Sequence, residues 1–271
     1  MSVSKPNIST VHKLWSHIRL WGRNAPAYIV IHFTGGVTDT VAGMLKVYND
    51  YVSAGSNAHY LVGKDAIWEM VNPKMHYCTY SCGSAASKKN PCRTVGWGIT
   101  AYKGALSMSH AGVAGHANTI NVEICSCKAK KTRTKPTDKD WYFSDDTYFN
   151  AAHLVAWLCD TFGIKVSNII MHNQITGKLC PAMWCNHDRA EMGFEQFKTD
   201  VARMLNDMDG TTRSSAPEPE KGTIEVTLGS LYYSRPSLDA PIIGMAKDTT
   251  TVQYLLNDGD WYYTDSGWII E

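Results

Sequence analysis

The sequence predicts an α/β fold, a mixed central sheet flanked by helices, over residues 1–208, and a small all-β barrel over 223–271. Three observations carry that expectation. Short apolar runs alternate with segments of helical spacing through the first part, as they do when helices cover a sheet. The stretch DGTTRSSAPEPEKG, residues 209–222, lacks aromatic residues and is rich in Ser, Thr, Pro and Gly, the composition of a linker. Beyond it only short strand-like runs remain, separated by turn residues.

The elements follow in order. Tyr28-Ile-Val-Ile-His32 reads as a buried strand. From Val41 to Tyr51, Met44, Leu45, Val47 and Tyr48 have helical spacing. His59–Gly63 and Ile67–Val71, joined by a turn at Lys64-Asp65-Ala66, form an expected hairpin. Thr119–Ile124 is a strand with Ile120, Val122 and Ile124 on one face. Residues 147–162 are helical and stop before Gly163, Val166–Met171 is a further strand, and 191–207 is the last helix of this part. Residues 84–117 and 128–146 read as long loops. The second opens with KAKKTRTKPTDK, six basic residues in twelve, expected to be a solvated loop or a contact for an anionic polymer. In the second part the runs are Ile224–Leu228, Thr250–Leu255, Trp261–Thr264 and Trp268–Ile270.

Composition narrows the class. A hydrophobic fraction of 44% and a charged fraction of 19% suit a soluble globular protein with a normal core. No apolar run approaches the roughly eighteen residues of a membrane span, and the N-terminus lacks the pattern of a secretory signal. Production in the cytoplasm is therefore the expectation, with no membrane insertion. The net charge of +1 divides into +6 for residues 1–221 and −5 for residues 222–271, too weak a basic field to require nucleic acid. Eight cysteines in a reducing compartment favour metal ligation or buried thiols over a disulfide framework.

Three side chains stand in places that suit a catalytic zinc, which takes three protein ligands and leaves one position for water. His32 ends one strand, His172 ends another, and Cys180 follows eight residues later in a short Gly-containing loop. They converge only if the two strands are neighbours, which spacing leaves open. Two core histidines and a buried thiol are the alternative.

Four motifs then occur in order: YIVIHFTG from Tyr28, SNAHYLVGKD from Ser56, NTINVEI from Asn118 and HNQITGKLCP from His172. Together they resemble the zinc N-acetylmuramoyl-L-alanine amidases, a group that includes many phage endolysins and shares its fold with peptidoglycan recognition proteins. The resemblance covers roughly residues 27–185. It implies the peptidoglycan amidase fold and Zn2+ held by His32, His172 and Cys180. It further implies Glu123 as the proton shuttle and Lys178 as support for the developing oxyanion. Bacterial peptidoglycan would be the partner, attacked after release from the cytoplasm. A receptor that binds the wall without cutting it, and a zinc peptidase acting within the stem peptide or cross-bridge, are the alternatives. Two departures touch substrate contacts: Ala58 stands where a related subgroup has tyrosine, and Ser81 where the family often has histidine. His59 is expected either to line the groove or to be structural, and His153 to be core.

The segments LYYSRPSLDAPIIG from Leu231, DWYY from Asp260 and GWI from Gly267 resemble a bacterial SH3-like wall-binding domain. By that resemblance Tyr232, Trp261 and Trp268, with Tyr233 and Tyr262, would divide between stacking on the wall and filling a small core.

Overall fold

Strands buried on both faces belong in the middle of a sheet, and YIVIHF and TINVEI lie there. The computed structural model describes residues 3–11, 24–44, 58–76, 78, 106–130, 134–185, 190–206, 222–233, 242–258, 261–264 and 266–270. The chain divides into two compact units, Met1–Asp209 and Gly210–Glu271.

In the first unit the strands are β1 (Ile8–Thr10), β2 (Tyr28–Phe33), β3 (Tyr60–Val62), β4 (Ile67–Glu69) and β5 (Thr119–Ile124). Then come β6 (Cys127–Lys128), β7 (Trp141–Tyr142) and β8 (Ile169–Met171). Six of them form one sheet in the order β1-β4-β3-β5-β2-β8. Only β3 and β4 pair antiparallel; the other neighbours run parallel, so the sheet is mixed. Helix α1 (Asp145–Phe162) buries Ala151, Leu154, Val155, Leu158 and Cys159, a stripe at helical spacing, in the core that also holds Ile29, Ile31, Ile120, Val122 and Ile124. Its first turn carries Asp145 and Asp146, which suit the positive end of the helix dipole. It ends on Gly163 at φ 64°, whose N–H caps Asp160, a left-handed conformation that glycine adopts without strain. Helix α3 (Ala190–Asn206) packs beside it through Phe194 and Phe197, which meet Trp184 and Tyr148 at ring distances of 5.1 to 5.6 Å. Between these two helices in chain order comes the short α2 (His172–Thr176). No helix of the described residues is long and apolar enough to cross a membrane.

The sheet departs from the expectations in three places. β1 was not foreseen; it is a three-residue edge strand without apolar alternation. The strand expected from Val166 begins only at Ile169, because residues 166–168 form a 3-10 turn. The expected loop 128–146 includes the ribbon of β6 and β7. There Lys128 is not solvated: its ammonium is buried between Asp140 at 2.6 Å and Asp138 at 3.3 Å, over the Trp141 ring. A buried ammonium needs such pairing, so the first lysine of the basic run anchors the loop. The helix expected from Val41 is described only over 41–44, and the loop 84–117 largely lies outside the described residues.

The second unit is an antiparallel sheet of β9 (Gly222–Val226), β10 (Leu231–Tyr233), β11 (Ile242–Met245), β12 (Thr250–Asp258), β13 (Trp261–Thr264) and β14 (Gly267–Ile270), in the order β11-β10-β14-β13-β12-β9. Its core is Ile224, Val226, Tyr232, Ala246 and Ile269. Of the aromatics expected to divide between the wall and a small core, Tyr232 is 8% exposed and packs in that core. So small a sheet has few other large side chains to fill its interior. The side chains of Trp261 and Trp268 lie outside the described residues.

Candidate metal centre

Sheet register builds the site. β2 lies between β5 and β8, with Ile31 opposite Met171 and His32 opposite Glu123. One residue past Met171, His172 opens α2 beside His32, and the two rings stand 4.7 Å apart, centre to centre. The chain then turns back at Gly177, φ 76°, a conformation that disfavours any side chain. Asn173 closes the turn. Its backbone N–H donates to the Cys180 carbonyl at 3.0 Å, and its Nδ2 donates to the Lys178 carbonyl at 2.9 Å. Cys180 Sγ consequently lies 3.8 Å from His32 Nδ1.

One potential ligand atom from each of His32, His172 and Cys180 lies within 4.8 Å of the others, and all three residues are buried. Burial drives the His32 pKa down to about 3 and that of His172 well below its ordinary value. Both rings are therefore neutral, the state in which an imidazole nitrogen offers its lone pair to a metal. Burial pushes the Cys180 thiol up to about 12 against the opposing pull of Lys178, so metal binding would release its proton. His172 Nδ1 is buried and makes no hydrogen bond among the described residues. A buried nitrogen without a partner costs on the order of 1–3 kcal/mol, a cost that a metal–nitrogen bond removes. Two imidazoles and one thiol are a donor set that zinc accepts. The residues fit the metal.

Glu123 shares the sheet face of His32. It keeps an opening to solvent, but its Oε2 is buried and unbonded among the described residues. Burial raises its pKa to about 8, with Lys178 drawing it the other way. Lys178 is half-buried, and its charge depresses the proton affinity of His32, His172, Cys180 and Glu123 alike. The structure therefore gathers His32, His172, Cys180, Glu123 and Lys178 in one place.

His59 is not part of the groove surface. It is fully buried, its Nδ1 accepts from the Asn121 backbone at 2.9 Å, and its Nε2 donates to the His76 carbonyl at 3.1 Å. With both ring nitrogens engaged it has no group left for substrate, so its part is structural. Ala58 is buried with Leu61 and Met70, and Ser81 lies outside the described residues. His153, expected in the core, is half-buried and hydrogen-bonds the Ser4 carbonyl at 2.9 Å.

Two neighbours of the site were missed in the sequence. His116, on the turn that precedes β5, lies near enough to His172 that protonating both rings together is disfavoured. Asn121 binds His32 Nε2 through its Oδ1 at 3.0 Å. A signal for Asn121 exists: Thr119, Asn121 and Glu123 are polar at alternate positions of an otherwise apolar strand, which places all three on one face.

Residues 22–183 match the family described as N-acetylmuramoyl-L-alanine amidase. The chain is 33% identical over 111 residues to the N-acetylmuramoyl-L-alanine amidase CwlL of Bacillus licheniformis, covering 40% of this chain and 27% of that protein. It is 30% identical over 142 residues to the N-acetylmuramoyl-L-alanine amidase BlyA of Bacillus subtilis strain 168, covering 46% of this chain and 34% of that protein. It thus spans about a third or less of the length of these curated relatives. Among solved structures, the catalytic domain of XlyA aligns with a TM-score of 0.46 at 17% identity, over 72% of this chain and 99% of that one.

Proposed function

The chain belongs to the N-acetylmuramoyl-L-alanine amidase family, and from that membership we propose that it hydrolyses the amide joining the lactyl group of N-acetylmuramic acid to L-alanine in bacterial peptidoglycan. The observation that carries the reading is the buried cluster of His32, His172 and Cys180 beside Glu123, whose Oε2 is buried without a hydrogen-bond partner among the described residues. Those three residues would hold zinc. Zinc bound there would supply Lewis acidity, polarising the scissile carbonyl and lowering the pKa of a water toward about 7.

The chain's own groups do the rest. Glu123 takes a proton from the attacking water and returns it to the departing L-alanine nitrogen. Burial lifts the Glu123 proton affinity above the ordinary carboxylate range while Lys178 draws it back, a balance that suits a group that both takes and returns a proton. The Lys178 ammonium stabilises the negative oxygen of the tetrahedral state. Its backbone is fixed for this by Asn173, which bonds the Lys178 carbonyl.

Mass spectrometry of purified walls digested by the chain tests the reading. The expected products are stem peptides with a free L-alanine amine and glycan strands with free lactyl carboxylates. A new amine from within the stem or cross-bridge would assign a peptidase. Tight wall binding with no new amine would assign a receptor.

Residues 223–271 we assign to wall binding as an SH3-like domain. Support comes from the aromatic motifs of that segment, its antiparallel sheet and its separation as a compact unit. The full chain, made inactive by Glu123→Gln, should co-sediment with purified walls, and truncation after Asp209 should release most of it. Because residues 222–271 carry a net −5, salt should weaken this binding little, aromatic and hydrogen-bond contacts carrying it. Equal sedimentation of the truncated chain counts against the assignment.

A further inference from the structure

We propose that Asn121 is a positioning residue that fixes His32 in the Nε2–H tautomer and so keeps the Nδ1 lone pair facing His172 and Cys180. The inference rests on the metal reading above for its purpose, but its physical content stands on hydrogen-bond direction alone.

The chain of bonds starts at an atom that can only accept. The Gly115 carbonyl takes the hydroxyl proton of Thr119 at 2.9 Å. Having spent its one proton, Thr119 Oγ1 can only accept from Asn121, whose Nδ2 donates to it at 3.1 Å. The amide orientation follows, and Asn121 Oδ1 is left facing His32 Nε2 at 3.0 Å. A carbonyl oxygen cannot donate, so His32 Nε2 must carry the proton. His32 Nδ1 then has none, and it is this nitrogen that lies 3.8 Å from Cys180 Sγ.

The reverse arrangement fails at both ends. A flipped amide would set Oδ1 against the lone pairs of Thr119 and aim Nδ2 at His32 Nε2. The ring would then hold its proton on Nδ1, on the side of the ligand cluster, where no metal could approach. Thr119, Asn121 and His32 are all buried, so no water relieves a mismatch between them.

A second chain of bonds fixes the Asn121 backbone. Its N–H donates to His59 Nδ1 at 2.9 Å, its carbonyl accepts from the His59 backbone at 3.0 Å, and His59 Nε2 donates to the His76 carbonyl at 3.1 Å. His59, which the sequence offered as a groove residue, supports Asn121 from behind. Partners that orient ligand histidines are worth about 10–100-fold in metal affinity, which sets the size of the effect.

The test uses the full-length chain and two readouts. Long-range proton–nitrogen NMR of the metal-free protein should show His32 in the Nε2–H form. Zinc affinity, measured against a competing chelator, should fall about 10–100-fold in Asn121→Leu, which keeps the volume and removes the acceptor. Asn121→Asp keeps the acceptor that faces His32 but loses the donor to Thr119, whose hydroxyl must turn from the Gly115 carbonyl to the new carboxylate, so it should lose clearly less affinity than Asn121→Leu. Thr119→Val frees the amide to flip and should give an intermediate loss together with a mixed tautomer signal. A wild-type His32 protonated on Nδ1, or unchanged zinc affinity in Asn121→Leu, would overturn the inference. A wild-type chain that shows the Nε2–H form but binds no zinc would instead remove the metal reading and leave the tautomer assignment standing.

Discussion

Stripping the chain with a strong chelator will abolish amide cleavage, and returning about one zinc per chain will restore it. The expectation follows from what the site is without metal. Two neutral imidazoles, with pKa values driven down by burial, and a thiol pushed up to about 12 cannot polarise a carbonyl or acidify a water. Loss of the metal therefore removes the electrophile outright, and the measured rate should drop to background. Thermal unfolding provides a second measurement. A ligand that binds only the folded chain stabilises it, by about 2.7 kcal/mol at a hundred times its dissociation constant, so the metal-loaded protein should melt higher. Cys180→Ala should lose both the activity and that stabilisation. Full activity in a sample free of all metals would contradict the assignment.

Glu123→Gln should slow turnover by about 10²–10⁴-fold, the usual worth of a positioned proton shuttle. Glutamine matches the carboxyl in size and polarity but takes no proton, so the change isolates the acid–base role. Zinc content should be unchanged, because Glu123 lies beside the ligand cluster and is not one of its three members. Lys178→Ala should cost about 10²–10³-fold, as the removal of one oxyanion-stabilising group does elsewhere. These substitutions act on one transition state, so their combined effect should be smaller than the product of the two. Wild-type turnover in Glu123→Gln with a full complement of zinc would place proton transfer on another group. His59 does not qualify, since both of its ring nitrogens are already bonded.

Much of the architecture could be read from local pattern. The central strands announced themselves as YIVIHF and TINVEI, and α1 by its spacing from Ala151 to Cys159. Short pieces were harder. β1 and the β6–β7 ribbon are three residues or fewer per strand, too short for alternation to register. The 3-10 turn at 166–168 resembles a strand in composition because Val166 and Ile169 flank it.

By itself, the sequence determined which side chains could take part and which face of its strand each one occupies. Period-two alternation places Glu123 opposite Val122 and Ile124, and motif order points to His32, His172, Cys180 and Lys178. Tertiary structure decided who stands next to whom. Placing β2 between β5 and β8 is what brings His172 to His32 and Glu123 alongside, and no local pattern encodes that order. It also decided the fate of side chains that pattern left open: His59 was drawn into the interior and satisfied there, and Tyr232 into the small core. The physical reason is that periodicity reports only the local choice between apolar and polar surroundings. Strand order and hydrogen-bond direction are settled by burial and pairing summed over residues far apart in the chain, and the link from Gly115 through Asn121 to His32 exists only once those strands have met.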